Sequence, residues 1–301
     1  MRIEQKSMSP RAWAELGLLA LIWGGSFLSN AFALREVGPV TIVAFRIAGA
    51  ALVLWAYVLW RGFAVPRGPR IWLDFAIMGL FNNVLPFTFI TWGQQHVPSG
   101  LAAILNGSTA IFGVLFAAII FADEKLTGRK ATGVALGFAG MAAVIGPEAL
   151  GGLDLTSLGQ LALVCAAVCY GVSGTWARAR LSGLTPQVAA MGMLTCSSVM
   201  IVPFALWTEG MPGTGALAAA PSLFYLAVFA TAAAYLLYYR VLTIAGTGNL
   251  LLVTLLVAPI AVLLGALVLG EALGWRAGMG FALLAAGLAV IDGRLLRLLR
   301  V

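Results

Sequence analysis

Neutral polar and aromatic side chains stand at helical spacing inside segments that are otherwise almost entirely apolar. Trp23, Ser26 and Asn30, for example, share one helix face, because residues three or four positions apart lie above one another. Similar faces recur along the chain and give ten candidate binding residues. These are Trp23, Ser26, Asn30, Asn83, Phe87, Asn106, Tyr170, Ser173, Tyr235 and Tyr238. A pocket for a small zwitterion with a flat side chain needs such groups. The alternative is packing and hydrogen bonding between helices.

One short motif suggests hydrolysis instead. Gly171-Val172-Ser173-Gly174 matches the GxSG pattern of rhomboid-type proteases, whose serine needs a histidine base within hydrogen-bond reach. His96 is the single histidine, and it stands at the outer end of another apolar segment. Ser173 lies about 27 Å along its own helix from that side of the membrane. The two side chains cannot meet, so we predict that the chain is not an enzyme.

Metal and nucleotide sites are not predicted either. Cys165 and Cys169 share a helix face, but no second Cys/His pair completes a four-coordinate site, and a buried cysteine behaves as a small apolar residue. A GxxxxGK[ST] phosphate loop does not occur in the sequence, which argues against an ATP-driven pump. We therefore expect neither a metal nor a cofactor.

The composition is that of a membrane protein. Hydrophobic residues make up 61% of the 301 residues and charged residues 10%, whereas a soluble domain carries about 25% charged residues. Most of the surface must therefore face the lipid bilayer. The net charge of +7 does not indicate nucleic-acid binding, because the basic residues lie in short gaps between apolar runs rather than on one patch.

Ten apolar runs are each long enough, at about 20 residues, to cross a bilayer as a helix. They cover 12–33, 40–60, 71–93, 98–121, 128–146, 155–177, 185–207, 219–240, 246–269 and 274–295. Prolines at the starts of several runs suit helix N-termini, and Pro86, Pro203 and Pro259 within runs predict kinks or local unwinding. The predicted fold is an all-α membrane protein with ten transmembrane helices.

The positive charges predict the orientation. Fifteen of the 18 Lys and Arg residues fall on the side of the two termini, and Arg35 and Arg276 fall on the other. By the positive-inside rule, both termini are cytoplasmic in an inner (plasma) membrane. The acidic residues all lie in loops or near the ends of the runs, so we expect no buried carboxylate to act as a proton relay.

The two halves of the sequence resemble each other. After a shift of 147 residues, nine of the 19 positions in 124–142 are identical to those in 271–289, including Glu124 with Glu271 and Arg129 with Arg276. Five runs in each half is an odd number, so the second half must be inverted in the membrane. Inverted repeats are common in secondary transporters. We predict one five-helix repeat in residues 1–150 and a second in 151–301.

The sequence resembles the drug/metabolite transporter superfamily, in particular its ten-span exporters with two EamA-type halves, most of all the aromatic amino-acid exporters. The resemblance rests on Leu21-Ile22-Trp23-Gly24-Gly25-Ser26, on Phe45-Arg46 and on the segment 259–271. It implies export of small metabolites, with aromatic amino acids as the expected cargo, by alternating access around a central cavity. Efflux of drugs or other metabolites, or an ion or solute channel, are the alternatives. The Gly133-x-x-x-Gly137 and Gly274-x-x-x-Gly278 motifs predict packing of the fifth and tenth helices within a monomer or weak dimer.

Two charged features have more than one interpretation. Arg46 lies within the second run, where an intramembrane charge suggests function, but it could also be an anchor that extends to the outer interface. Glu124 and Glu271 could form gating ion pairs with nearby basic residues. They could equally be ordinary interfacial charges that mark the ends of two helices.

Overall fold

The computed structural model describes residues 9–122, 125–145, 154–245 and 252–292, and these ranges form ten long helices. They are α1 (Pro10–Ala33), α2 (Pro39–Trp60), α3 (Pro69–Gly93), α4 (Ser99–Ile120), α5 (Gly128–Ile145), α6 (Leu155–Leu181), α7 (Pro186–Thr208), α8 (220–245), α9 (252–269) and α10 (Trp275–Asp292). They agree with the ten predicted runs to within a few residues at most ends. One further turn, Gly215–Ala218, precedes α8.

Seven of these helices are long and apolar enough to cross a membrane. They are α1, α2, α3, α4, α6, α7 and α8. The apolar part of α9 and most of α10 form shorter apolar helices of 10 to 17 residues. The described ranges are thus helical and suited to a membrane.

The helix starts follow from local sequence. Pro39, Pro69 and Pro186 stand in the first turns of α2, α3 and α7, where the missing N–H has no helical partner to lose. The carboxylate of Asp154 accepts the backbone N–H of Ser157 at 2.7 Å and caps α6. Hydrogen bonds from Ser157, chiefly from its backbone, lower the pKa of Asp154.

The helix pairings are exchanged between the two halves. Helix α2 packs on α7 and α5 packs on α10, and each of these pairs joins helices five apart in order. Other contacts repeat when each helix number is shifted by five. The contact of α3 with α6 becomes that of α8 with α1, and the contact of α6 with α4 becomes that of α1 with α9. Replacing each helix by the one five places further on, counted cyclically, thus reproduces the main contacts.

Helices α5 and α10 contact each other backbone to backbone. A Cβ added to Gly133 would lie 2.6 Å from the Gly287 carbonyl oxygen, and one added to Gly140 would lie 2.8 Å from that of Gly280. The predicted pairing of these helices through glycine is therefore confirmed for α5. It is wrong for Gly274 and Gly278, because no atom of the described residues lies within 4 Å of a Cβ added at either position.

Four of the described helices contain π-helical turns, in which backbone hydrogen bonds join residues five apart and the helix is wider. The segments are Leu80–Val84 in α3, Ala177–Leu181 in α6, Tyr225–Ala233 in α8 and Gly265–Leu269 in α9. In α3 the π turn ends two residues before Pro86, which has no N–H to donate to the carbonyl of Asn82. Helix α7 continues through Pro203 and α9 through Pro259, so local unwinding is absent at those two prolines.

Candidate functional site

A cavity of about 410 Å³ lies among seven helices: α1, α2, α3, α4, α6, α8 and α9. This volume falls in the usual range for small-molecule sites, about 300–1,000 Å³. Its lining combines aromatic rings, amides and hydroxyls with apolar residues. Helices α5, α7 and α10 contribute no residue to the described lining.

Nine of the ten sequence-predicted residues line this one cavity. They are Trp23, Ser26, Asn30, Phe87, Asn106, Tyr170, Ser173, Tyr235 and Tyr238. The tenth, Asn83, is fully buried and lies behind the cavity wall, where its Nδ2 donates to Ser197 Oγ at 3.2 Å. The structure thus brings the predicted set together, apart from Asn83.

Asn82 takes the place predicted for Asn83. The prediction assumed α-helical spacing between Asn83 and Phe87, four residues apart, but the π turn at Leu80–Val84 places Asn82 and Phe87, five residues apart, in the cavity wall. Pro86 was the available sequence signal for this irregularity. It could have shown that the helical register changes here.

The two asparagines and Tyr235 form a hydrogen-bonded network. Asn82 Nδ2 donates to the Tyr235 hydroxyl at 2.8 Å, and that hydroxyl donates to Asn83 Oδ1 at 2.9 Å. Ser173 Oγ lies 2.9 Å from Asn82 Oδ1. These bonds join α3, α6 and α8 across the two halves and fix the Tyr235 ring beside the cavity.

Ser173 and His96 occupy unrelated positions. The Ser173 hydroxyl contacts Asn82 and the Tyr170 carbonyl, whereas the His96 ring packs against Trp92 with the ring centres 4.9 Å apart. Neither arrangement is that of a nucleophile and its base. Within the described ranges, no group of three or more His, Cys, Asp or Glu side chains could hold a metal ion.

Arg46 is buried in the wall of the cavity rather than extended to an interface. Only 6% of its surface is exposed, its Nε donates to Thr231 Oγ1 at 2.8 Å, and its Cζ lies 3.8 Å from the centre of the Phe87 ring. The ring face attracts the cation. Thr231 lies in the π turn of α8, where its hydroxyl also contacts the carbonyl of Leu226, five residues earlier. Sequence reasoning did not include Arg46 in the binding set.

Asn30, which lines the cavity, forms an amide pair with Gln94. Asn30 Nδ2 donates to Gln94 Oε1 at 2.9 Å, and Gln94 Nε2 donates to the Phe27 carbonyl at 2.9 Å. The Phe27 carbonyl can only accept, so it fixes the orientation of both amides. Asn30 Oδ1, like Asn106 Oδ1, is then a buried acceptor without a hydrogen-bond partner within the described part of the chain.

Two carboxylates cap helix N-termini beyond this amide pair. Glu209, at the end of α7, accepts the backbone N–H groups of Val40 and Thr41 at 3.0 and 2.8 Å. Glu271, after α9, accepts those of Ser99 and Gly100 at 2.8 and 3.1 Å. Unpaired N–H groups and the helix dipole favour an anion at these positions. We call this side of the bundle, where α2 and α4 begin, the capped end.

Glu271 therefore stabilises a helix start, and the ion pairs between described residues do not include it. Its sequence counterpart Glu124 lies outside the described residues. These capping contacts favour the interpretation of Glu271 as an interfacial charge at a helix end, and its gating ion pair stays a prediction. The carboxylate joins the two halves of the chain.

Ion pairs join the helices on the opposite side. Arg180 Nε lies 3.1 Å from Asp74 Oδ1 and links α6 to α3, and Arg240 Nη2 lies 2.9 Å from Glu15 Oε1 and links α8 to α1. We call this side the ion-pair end. The cavity extends toward it as far as Tyr239. Arg46 lies seven residues, or about 10 Å, along α2 from the capped end.

Comparisons with known proteins agree with this architecture. The sequence model described as "EamA-like transporter family" matches the chain twice, over residues 13–146 and 157–292. A solved crystal structure superimposes with a TM-score of 0.65 and 22% identity over 96% of this chain and 99% of its own. That likeness concerns the fold. The chain belongs to the EamA-like transporter family, a family of membrane-spanning transporters.

Several named relatives are transporters. An uncharacterised transporter of Archaeoglobus fulgidus is 25% identical over 286 residues, which cover 93% of this chain and 98% of the relative. A "Probable terminal-alkyne amino-acid exporter" of Streptantibioticus cattleyicolor is 26% identical over 289 residues, which cover 96% and 95%. The uncharacterised inner membrane transporter YedA of Escherichia coli K12 is 23% identical over 212 residues, which cover 70% and 67%. These names indicate a transporter rather than an enzyme.

Proposed function

We propose that this protein is a secondary exporter of small metabolites, with aromatic amino acids as its expected cargo, that works by alternating access around the described cavity. The observation that carries the proposal is the cavity itself. Nine residues chosen for their chemistry from five separate helices line one space between the two halves. Secondary transporters with internal repeats bind substrate at such an interface.

The proposed topology has ten spans in two inverted halves, residues 1–150 and 151–301, with both termini in the cytoplasm. The exchanged helix pairings support this arrangement, because a two-fold relation between inverted halves would produce them. In this orientation the capped end is periplasmic and the ion-pair end is cytoplasmic. The conformation is then closed to the outside, and the cavity extends inward, where an exporter loads its cargo.

The lining favours a zwitterion with a flat side chain. Trp23 and Tyr238 lie with ring centres 5.9 Å apart and offer a surface on which an aromatic ring packs. The unpartnered amide oxygens of Asn30 and Asn106 are acceptors of the type that binds an ammonium group. The name of the Streptantibioticus relative, an amino-acid exporter, supports the same cargo class.

A flux assay in proteoliposomes tests the proposal. We expect labelled phenylalanine to exchange with a saturable rate, and lysine, glutamate and a neutral sugar to compete weakly. Acceleration of efflux by phenylalanine on the opposite side would support a carrier, whereas flux linear in concentration would support a channel. Preference for a bulky cationic drug over phenylalanine would replace amino-acid export by drug efflux.

A further inference from the structure

Arg46 is the only formally charged residue in the described cavity lining. Its side chain is almost wholly buried, and none of the ion pairs between described residues includes it. Burying a cation without an anion is costly, because the lost hydration is not replaced. The cavity therefore has an unbalanced positive charge at one side.

Two contacts orient the guanidinium group. Nε donates to Thr231, and Cζ lies 3.8 Å from the Phe87 ring centre. A guanidinium carries five N–H donors, and four of them belong to the two Nη atoms. Within the described part of the chain, these four make no hydrogen bond, so the edge of the group that best matches a carboxylate is available.

The charges in the cavity restrict the class of ligand. One arginine and no acidic residue line it, so a ligand with one negative charge brings the site to neutrality, and a ligand with only a positive charge is repelled. A doubly charged phosphate would carry an excess charge into an otherwise aromatic and apolar space. A carboxylate fits both the charge and the planar fork of the guanidinium.

We propose that Arg46 binds the carboxylate of the transported molecule, so that the cargo is a small organic monocarboxylate with an apolar or aromatic body. The inference rests on the proposed transport through this cavity and adds a recognition residue to it. Phe87 and Thr231 act as positioning residues, since they hold the guanidinium and do not themselves pair with the carboxylate.

The test separates the two functional groups of phenylalanine. The purified full chain in lipid nanodiscs is titrated by calorimetry with 3-phenylpropionate, which has a ring and a carboxylate, and with 2-phenylethylamine, which has a ring and an amine. We expect 3-phenylpropionate to bind, and Arg46→Gln to weaken this binding about ten- to a hundredfold. The amine should bind no more tightly to the natural protein than to Arg46→Gln.

Two further variants serve as controls for Arg46→Gln. Arg35 also lies over a phenylalanine, Phe32 at 5.0 Å, but it is exposed and outside the described lining, so Arg35→Gln should leave binding unchanged. Arg46→Lys keeps the charge and loses the fork, and it should weaken binding by less than Arg46→Gln. If Arg46→Gln does not fold, as judged by size-exclusion chromatography and melting, binding of 3-phenylpropionate to Arg46→Lys tests the inference instead.

The outcomes distinguish this inference from the proposed function. Binding of 3-phenylpropionate that is unchanged in folded Arg46→Gln or Arg46→Lys would overturn the inference. Equally strong binding of chloride alone would make Arg46 an inorganic-anion site and would overturn it as well. Arg46-dependent binding of 3-phenylpropionate without phenylalanine flux would support the inference and remove only the amino-acid assignment.

Discussion

Glu271 accepts two hydrogen bonds from Ser99, one from the backbone N–H and one from the hydroxyl, both at 2.8 Å. The bonds connect the end of α9 in the second half with the start of α4 in the first. They lie on the side that the proposed topology makes periplasmic. A carrier that alternates has to break or rearrange such contacts whenever it opens on this side.

Replacing Glu271 by Ala should loosen the capped end. Loss of three hydrogen bonds to a helix N-terminus should lower stability by about 1–3 kcal/mol. In a variant without Cys165, Cys169 and Cys196, a reporter cysteine at Ala103 in the cavity should react faster with an impermeant maleimide added from outside. Glu36→Ala, an exposed carboxylate on the same side, is the control. Unchanged labelling with Glu271→Ala would show that this contact does not hold the end closed.

Asn82 and Asn83 should respond differently to the same substitution. Asn82→Ala removes a cavity-lining amide and should reduce flux severalfold with little change in melting temperature. Asn83→Ala removes two hydrogen bonds, to Ser197 and to Tyr235, from a fully buried position and should lower stability by about 1–3 kcal/mol. Flux of labelled phenylalanine and melting of the purified variants measure the two effects. Identical effects of the two substitutions would contradict the placement of Asn82.

Loss of a ring from the cavity should weaken transport. Packing of two aromatic groups contributes about 0.5–1.5 kcal/mol beyond area burial, so Trp23→Ala and Tyr235→Ala should each reduce flux severalfold at normal protein yield. Trp60→Ala removes an exposed ring outside the described lining and serves as the control. Equal flux in all three variants would argue against ring recognition.

The energy source can be tested by imposing a proton gradient. Proton-coupled carriers usually have a titrating side chain within the membrane, and the described cavity lining contains no Asp, Glu or His. We therefore expect facilitated diffusion or exchange. A pH step across the proteoliposome membrane should not drive phenylalanine uphill. Proton uptake in fixed ratio to substrate would contradict this prediction.

Three loop glycines test the proposed orientation. A Cβ at Gly68, Gly183 or Gly213 would have open space around it, so cysteine fits at each position. In intact cells, an impermeant reagent should label Gly213→Cys, between α7 and α8, and should not label Gly68→Cys or Gly183→Cys until the cells are opened. The reverse pattern would invert the topology. A cysteine near Gly151 should also label from outside, although Gly151 lies outside the described residues.

The sequence predicted helix positions better than side-chain directions. Apolar length and prolines set the helix ends, and these are local properties. The direction of a side chain depends on the helical period, which changes at the π turn before Pro86. As a result Asn82, and not the predicted Asn83, faces the cavity. The surroundings of Arg46 depend on Thr231, 185 residues away along the chain. Spacing within one helix could not reveal that contact.

The helices that line the cavity are different from the pair that packs through glycine, and this separation affects how the protein can evolve. The close glycine contacts of α5 with α10 lie apart from the described cavity lining, which comes from seven other helices. Substitutions at Gly133 or Gly140 would therefore alter the amount of folded protein, whereas substitutions around Arg46 would alter which molecules are accepted. New substrate preferences can arise on one set of helices while the other keeps the bundle assembled. Variants that exchange one substrate for another should therefore accumulate in the cavity wall and leave the glycine contacts intact.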